Sequence, residues 1–162
     1  MTNPTDGFTL THTMIRIARP ERSLAFYRDA LGMRLARRLD FQDWKFSLYF
    51  LQAPGNGAPA DSLSQTFSRP GLLELTHNWG DEDAQFHDGN SDPKGYGHIC
   101  IAVPDLAAAC AHFDALGVRF HKRPDEGGMK NVAFILDPDG YRIEVVQPDL
   151  MDGVVGFADK TA

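Results

Sequence analysis

The sequence predicts an α+β fold of paired βαβββ modules, with curved mixed sheets enclosing a metal cleft. Three observations carry that expectation. Two stretches look like copies of each other: one runs from THTMIRI to LLELTH, the other from GHICIAV to YRIEVVQ, and they contain the sister phrases DALGMRL and DALGVRF. Within each copy, segments that alternate with period two follow a segment with helical spacing. Aligning the copies on the shared phrase brings His12 within one residue of His98 and sets Glu74 of LEL opposite Glu144 of IEV. Histidines and carboxylates at matching strand positions of a duplicated unit point to a pseudo-symmetric metal site.

The elements follow in order. The first module spans 8–78 and opens with a strand over 9–17. Thr11, Thr13, Ile15 and Ile17 take one face of it, and His12, Met14 and Arg16 the other. Pro20 sits where a helix tolerates a missing N–H. Leu24, Tyr27 and Leu31 give the helical stripe, with Phe26 at its edge, and Gly32 supplies the stop. Segments 33–40 and 45–52 read as strands, the second aromatic-rich as KFSLYFLQ. Residues 53–70 read as a flexible excursion, and 71–77 as a further strand. A linker rich in Asp, Gly and Asn covers 79–95. The second module, 96–148, repeats the order: strand 97–103, helix from Asp105 to Leu116, then strands 118–122, 131–136 and 141–147. Asp105 suits the helix cap, and Leu106, Cys110, Phe113 and Leu116 its buried side. The turn DPDG precedes the last strand, and a tail covers 149–162. Both modules form one domain overall.

Composition narrows the function. A chain of 162 residues that is 43% hydrophobic and 23% charged reads as a soluble globular protein. A net charge of −6 argues against a nucleic-acid partner. No apolar run approaches the ~20 residues that span a membrane. The start, MTNPTDGFTL, has no basic segment leading into an apolar one, so a cytoplasmic location is expected. Cys100 and Cys110 read as buried thiols rather than a disulfide.

Periodicity sharpens the site. Glu74 shares a strand face with Leu72, Thr76 and Asn78, and Glu144 lies opposite the apolar Ile143 and Val145. A carboxylate there is costly to bury without a partner, and one divalent ion offsets two of them. Taken singly, His12 reads as an ordinary polar strand residue and Glu144 as an ion-pair partner of Arg142 or Lys122. Their recurrence in both copies favours the metal. His77, His87, His112 and His121 lack such duplication and read as structural or surface residues. Imidazole with carboxylate suits Zn, Ni, Co or Fe(II), and Lewis-acid work on a carbonyl or diol. Arg16, beside His12, suits either an anionic ligand or a surface ion pair.

The phrases FYRDALGM, KFSLYFL, LELTHNWG, GNSDPKGYGHI and DPDGYRIEV resemble glyoxalase I (lactoylglutathione lyase) enzymes of the vicinal-oxygen-chelate superfamily, and especially their longer eukaryotic-type form. The resemblance covers Phe8 to Pro148. It implies metal ligands at His12, Glu74, His98 and Glu144. In human-like zinc enzymes the first of these positions is Gln. His there resembles shorter bacterial enzymes that prefer nickel or cobalt, so the expected ion is Zn or Ni/Co. The resemblance also implies a homodimer with sites shared between subunits, His12 and Glu74 coming from one and His98 and Glu144 from the other.

The resemblance further implies glutathione contacts at Arg16 and Asn78 of one subunit, and at Lys94, Lys122 and Met129 of the other. Lys94 replaces the Arg of RGFGHI-type sequences, keeping the charge but losing the bidentate fork. Phe41, Leu48, Phe50, Phe67, Met151 and Val155 match an apolar wall around the substrate's small group, which Trp44 stands to reshape. The implied substrate is the hemithioacetal of glutathione and methylglyoxal. Glu144 acts as the base that moves its proton through a metal-stabilised enediolate to give S-lactoylglutathione, and Glu74 serves the opposite enantiomer. Other classes on the same scaffold are a non-catalytic metal- or small-molecule-binding protein and another metal-dependent isomerase or dioxygenase. The second Glu ligand weighs against a 2-His-1-carboxylate iron site.

Overall fold

The computed structural model describes residues 3–58 and 60–153. The chain divides into two compact units, one ending at Phe86 and the other beginning at His87. The first contains β1 (His12–Arg16), α1 (Pro20–Leu31), β2 (Arg34–Phe41), β3 (Phe46–Gln52), α2 (Leu63–Phe67) and β4 (Leu72–Asn78). Its four strands lie in the order β1-β4-β3-β2, with β1 parallel to β4 and the other pairs antiparallel. The second contains β5 (His98–Ala102), α3 (Leu106–Ala115), β6 (Phe120–Lys122), β7 (Val132–Leu136) and β8 (Arg142–Val146), followed by a 3₁₀ turn over Pro148–Gly153. Its order, β5-β8-β7-β6, is the same pattern again.

Each helix is set by local chemistry. Pro20 occupies the first turn of α1, and Gly32 ends it in the left-handed region at φ 64°, donating its N–H to the Arg28 carbonyl at 3.0 Å. Tyr27 is fully buried, flanked on the same side by Ser23 and Ala30. Leu24 and Leu31 are only half-buried, so the buried stripe is rotated toward Ser23 and Ala30 from the one the large apolar residues suggest. In α3, the Asp105 carboxylate accepts from the Ala108 N–H at 2.9 Å, as its position before the helix requires. Leu106 and Phe113 are buried there, Cys110 is half-buried and Leu116 is 48% exposed. The core of the first unit is Ile15, Ile17, Tyr27, Tyr49, Leu51, Leu73 and Leu75. That of the second is Leu106, Phe113, Ala133, Ile135, Ile143 and Val145.

Two expectations are corrected. The stretch 53–70 contains α2. Ser62 accepts from the Gln65 N–H at 3.1 Å, and Gln65 Oε1 accepts in turn from the Asp61 N–H at 2.9 Å. This reciprocal closure resembles a capping box and lets a five-residue helix persist. Arg69 ties the excursion back to the sheet through Gln52 Oε1 at 2.9 Å and the Ala58 carbonyl. The expectation of curved sheets enclosing a metal cleft is overturned. Each sheet is an open row of four strands with two edges, β1 and β2 in one, β5 and β6 in the other. Four strands in a linear order are too few to close, which takes about eight.

The segment leading into β5 is fixed by backbone contacts. Gly89, at φ 76°, lies against the Tyr96 main chain, and its carbonyl accepts from the Gly95 N–H at 3.0 Å. An added Cβ would overlap the Tyr96 carbonyl and amide, whereas one at Gly95 would meet nothing. Gly89→Ala is expected to lower unfolding stability by more than about 2 kcal/mol, and Gly95→Ala to change it by less than about 0.5 kcal/mol. Urea denaturation of the two variants measures the contrast.

Candidate active site

One face of the first sheet collects most of the expected site residues. Register places Met14 and Phe50 on either side of Glu74, Arg16 and Leu48 on either side of Thr76, and Phe46 beside Asn78. Residues paired in this way share a face, so His12, Met14 and Arg16 of β1 stand with Glu74, Thr76 and Asn78 of β4. Phe46, Leu48 and Phe50 of β3 extend the face, and Phe41, opposite Phe46, reaches it from β2. α2 folds over one end of it: Phe67 meets His12 and Phe50 edge-on, at centroid separations of 5.7 and 5.3 Å.

The donors come in pairs. His12 Nε2 lies 3.2 Å from Glu74 Oε2, and His98 Nε2 lies 3.3 Å from Glu144 Oε2. The two pairs have the same construction. His12 is opposite Leu72, two residues before Glu74, and His98 is opposite Arg142, two residues before Glu144. A phenylalanine on the next strand faces each glutamate, Phe50 for Glu74 and Phe134 for Glu144. Each packs edge-on to the histidine of its pair, at 5.5 Å for Phe50 and 5.3 Å for Phe134. The duplication in sequence is thus a duplication of chemistry.

The surroundings suit a cation. Glu74 is 8% exposed, and its carboxylate accepts a hydrogen bond from Thr76 Oγ1 at 3.1 Å. An ionised carboxylate buried that far costs several kcal/mol, and a hydrogen bond to it returns about 1.5–3 kcal/mol. Thr11 Oγ1 lies 2.8 Å from His12 Nδ1, which orients the ring and leaves Nε2 for the site. Such support of the far nitrogen is usual for a metal-binding imidazole. Each pair supplies two donors, and no group of three or more His, Cys, Asp or Glu placed for one ion forms among the described residues.

Glu144 has a different neighbour. The Cys100 thiol donates a hydrogen bond to its carboxylate. Desolvation of the sulfur, then that hydrogen bond and the carboxylate charge, push the Cys100 thiol up to about 11. The thiol therefore stays protonated near neutral pH and serves as a donor.

The remaining expected residues are spread more widely. Arg16 is exposed at the end of β1 and makes no ion pair among the described residues. Asn78 is half-buried, Lys94 is exposed, and Met129 is 49% exposed in the turn before β7. Lys122 Nζ donates to the Val132 and Arg123 carbonyls at 2.6 and 3.1 Å. Desolvation, and then Lys130, lower its pKa. Met151 is half-buried in the 3₁₀ turn, and Val155 lies outside the described residues. His77 faces away from Glu74; its buried Nε2 has no hydrogen-bond partner among the described residues and sits 3.8 Å from Glu82. Sequence reasoning did not single out Thr11, Thr76, Cys100 or Phe134. Phe134 had a readable signal, because NVAFIL repeats the Phe of KFSLYFL two strands after each histidine.

Residues 9–145 match the model of the Glyoxalase/Bleomycin resistance protein/Dioxygenase superfamily. The chain is 55% identical to the lactoylglutathione lyase of Pseudomonas aeruginosa, over 90% of this chain and 86% of that one. It is 50% identical to that of Pseudomonas putida, over 89% and 87%. Among solved structures, the trypanothione-dependent glyoxalase I of Leishmania major superposes with a TM-score of 0.68 at 35% identity, covering 90% of this chain and 91% of that one. The expected kinship with the longer eukaryotic-type form is overturned. Saccharomyces cerevisiae glyoxalase I is 46% identical, but the match spans only 45% of its length, whereas the bacterial chains match nearly end to end. The phrases that suggested the longer form are no marker of it. The chain belongs to the Glyoxalase/Bleomycin resistance protein/Dioxygenase superfamily and, within it, to the lactoylglutathione lyase (glyoxalase I) family.

Proposed function

We propose that this protein isomerises the hemithioacetal of glutathione and methylglyoxal to S-lactoylglutathione. The observation that carries the reading is the His–Glu pair built at the same register in both modules, His12 with Glu74 and His98 with Glu144. These four residues would hold one divalent ion, zinc or else nickel or cobalt. When bound, it supplies Lewis-acid polarisation of the substrate's oxygens and acidifies the adjacent C–H.

The chain's residues do the rest. The Glu144 carboxylate takes the proton from the carbon bearing sulfur and returns it to the neighbouring carbonyl carbon. One carbon is oxidised as the other is reduced, so no redox cofactor enters. Cys100 donates to that carboxylate and His98 lies beside it, which fixes its aim. Glu74, held by Thr76, serves the opposite enantiomer. Phe50, Phe67 and Leu48 keep water from the first pair. Arg16 and Asn78 meet the glutathione arm, joined by Lys94, Lys122 and Met129. Two of the three Lys122 ammonium hydrogens are already given to carbonyls, which leaves one for a ligand.

The working form in this reading is a cytoplasmic homodimer whose sites draw one pair from each subunit. The alternating exposure of β5, with His98, Cys100 and Ala102 open to solvent, supports a face that awaits a partner.

Glu144→Gln is expected to lower kcat for the methylglyoxal–glutathione hemithioacetal by at least about 100-fold, while the protein stays folded. Activity within tenfold of the parent would remove Glu144 from the base role. The shared site has its own test. A His12→Ala/Glu74→Ala variant and a His98→Ala/Glu144→Ala variant, each inactive, are refolded together. Sharing between subunits restores one intact site in every mixed dimer, whereas sites contained within single chains leave the mixture inactive.

A further inference from the structure

The β2–β3 hairpin ends in three stacked aromatic rings. Phe41 and Phe46 stack at 4.6 Å with 22° between their planes. Trp44 stacks on Phe41 at 5.7 Å and 21°, and lies at 6.3 Å and 8° from Phe46. The Trp44 N–H donates to the Phe41 carbonyl at 3.2 Å, and Lys45 takes the left-handed φ of 55° that a tight turn demands. Phe41 and Phe46 are half-buried, yet the indole is 71% exposed. A ring that served only to stiffen the hairpin would gain most by hiding its area. This one presents a broad apolar face to solvent instead.

Register fixes where that face lies. Phe46 is opposite Asn78, and Phe50 is opposite Glu74. Four residues of strand separate the two levels, roughly 14 Å at ~3.4 Å per residue. The methyl group of methylglyoxal sits one bond from the reacting carbons and cannot span that distance from Glu74. In the reading above the thiol's arm meets Arg16 and Asn78, which puts it at the Asn78 level, next to Thr76. A tripeptide arm offers planar amides for an aromatic face and carboxylates for a guanidinium, matching Trp44 and Arg16. The stack therefore belongs to the other end of the ligand from the wall of Phe50 and Phe67.

We propose that Trp44, braced by Phe41 and Phe46, is a specificity-determining residue that binds the peptide arm of the thiol cosubstrate and takes no part in choosing the 2-oxoaldehyde. The inference rests on the glutathione-dependent reading above and moves Phe41 from the aldehyde wall to the thiol's end of the face.

The test uses Trp44→Ala and Trp44→Phe in the metal-loaded protein, with S-methylglutathione as a probe that carries the arm but no aldehyde residue. Trp44→Ala is expected to weaken S-methylglutathione about five- to tenfold by calorimetry, in line with the loss of one aromatic contact. The KM values for the methylglyoxal and phenylglyoxal hemithioacetals rise together with kcat unchanged, and Trp44→Phe restores most of the loss. An unchanged affinity for S-methylglutathione overturns the proposal. A shift in the methylglyoxal-to-phenylglyoxal preference overturns it in favour of the aldehyde wall. Failure of the unaltered protein to bind S-methylglutathione or turn over methylglyoxal with glutathione sinks the parent reading instead. Thermal melts of both variants, expected to match the parent because the indole is exposed, exclude unfolding as the cause.

Discussion

The Glu74 carboxylate, buried in the middle of β4, is the constraint on which the rest of the site depends. A strand buried along nearly its whole length, as β4 is, normally carries apolar side chains on both faces. Glu74 breaks that rule, and its neighbours are arranged around the exception. Thr76 donates to it, His12 lies against it, Thr11 orients His12, and Phe50 and Phe67 pack edge-on against that imidazole. Apolar residues at these positions would give a simpler and more stable sheet.

The two halves are alike in register but differ in exposure. Phe67 of α2 packs against His12 of the first pair, whereas the side chain of His98 in the second is 39% exposed. The hydrogen-bond donors differ as well, a threonine hydroxyl for Glu74 and a cysteine thiol for Glu144. A thiol is the weaker donor and stabilises the charged carboxylate less.

Much of this was legible in the sequence, for physical reasons that differ by residue. The strands carrying His12, Glu74, His98 and Glu144 were readable because period-two alternation and the DALG phrase repeat together. The capping of α3 was readable from Asp105. The helix α2 was missed, since a five-residue helix shows no periodicity and only the Ser62–Gln65 spacing marks it. The curvature of the sheets was misjudged because strand order and edge pairing are tertiary facts that alternation does not encode. Leu116 looked buried by spacing yet is exposed, because α3 ends there and the last turn has little to pack against. The place of Trp44 needed the register of β3 on β4, which no local pattern supplies.

The central claim is that a divalent ion and glutathione are both required for an isomerisation carried by the paired His–Glu donors. The direct measurement is the initial rate of thioester formation from methylglyoxal and glutathione by metal-stripped protein, with zinc, nickel, cobalt or magnesium added back separately. The account predicts negligible rate without metal and with magnesium, restoration by zinc or by nickel and cobalt, and none with any ion when glutathione is omitted. Full activity of the stripped protein, or no thioester with any ion, would contradict it.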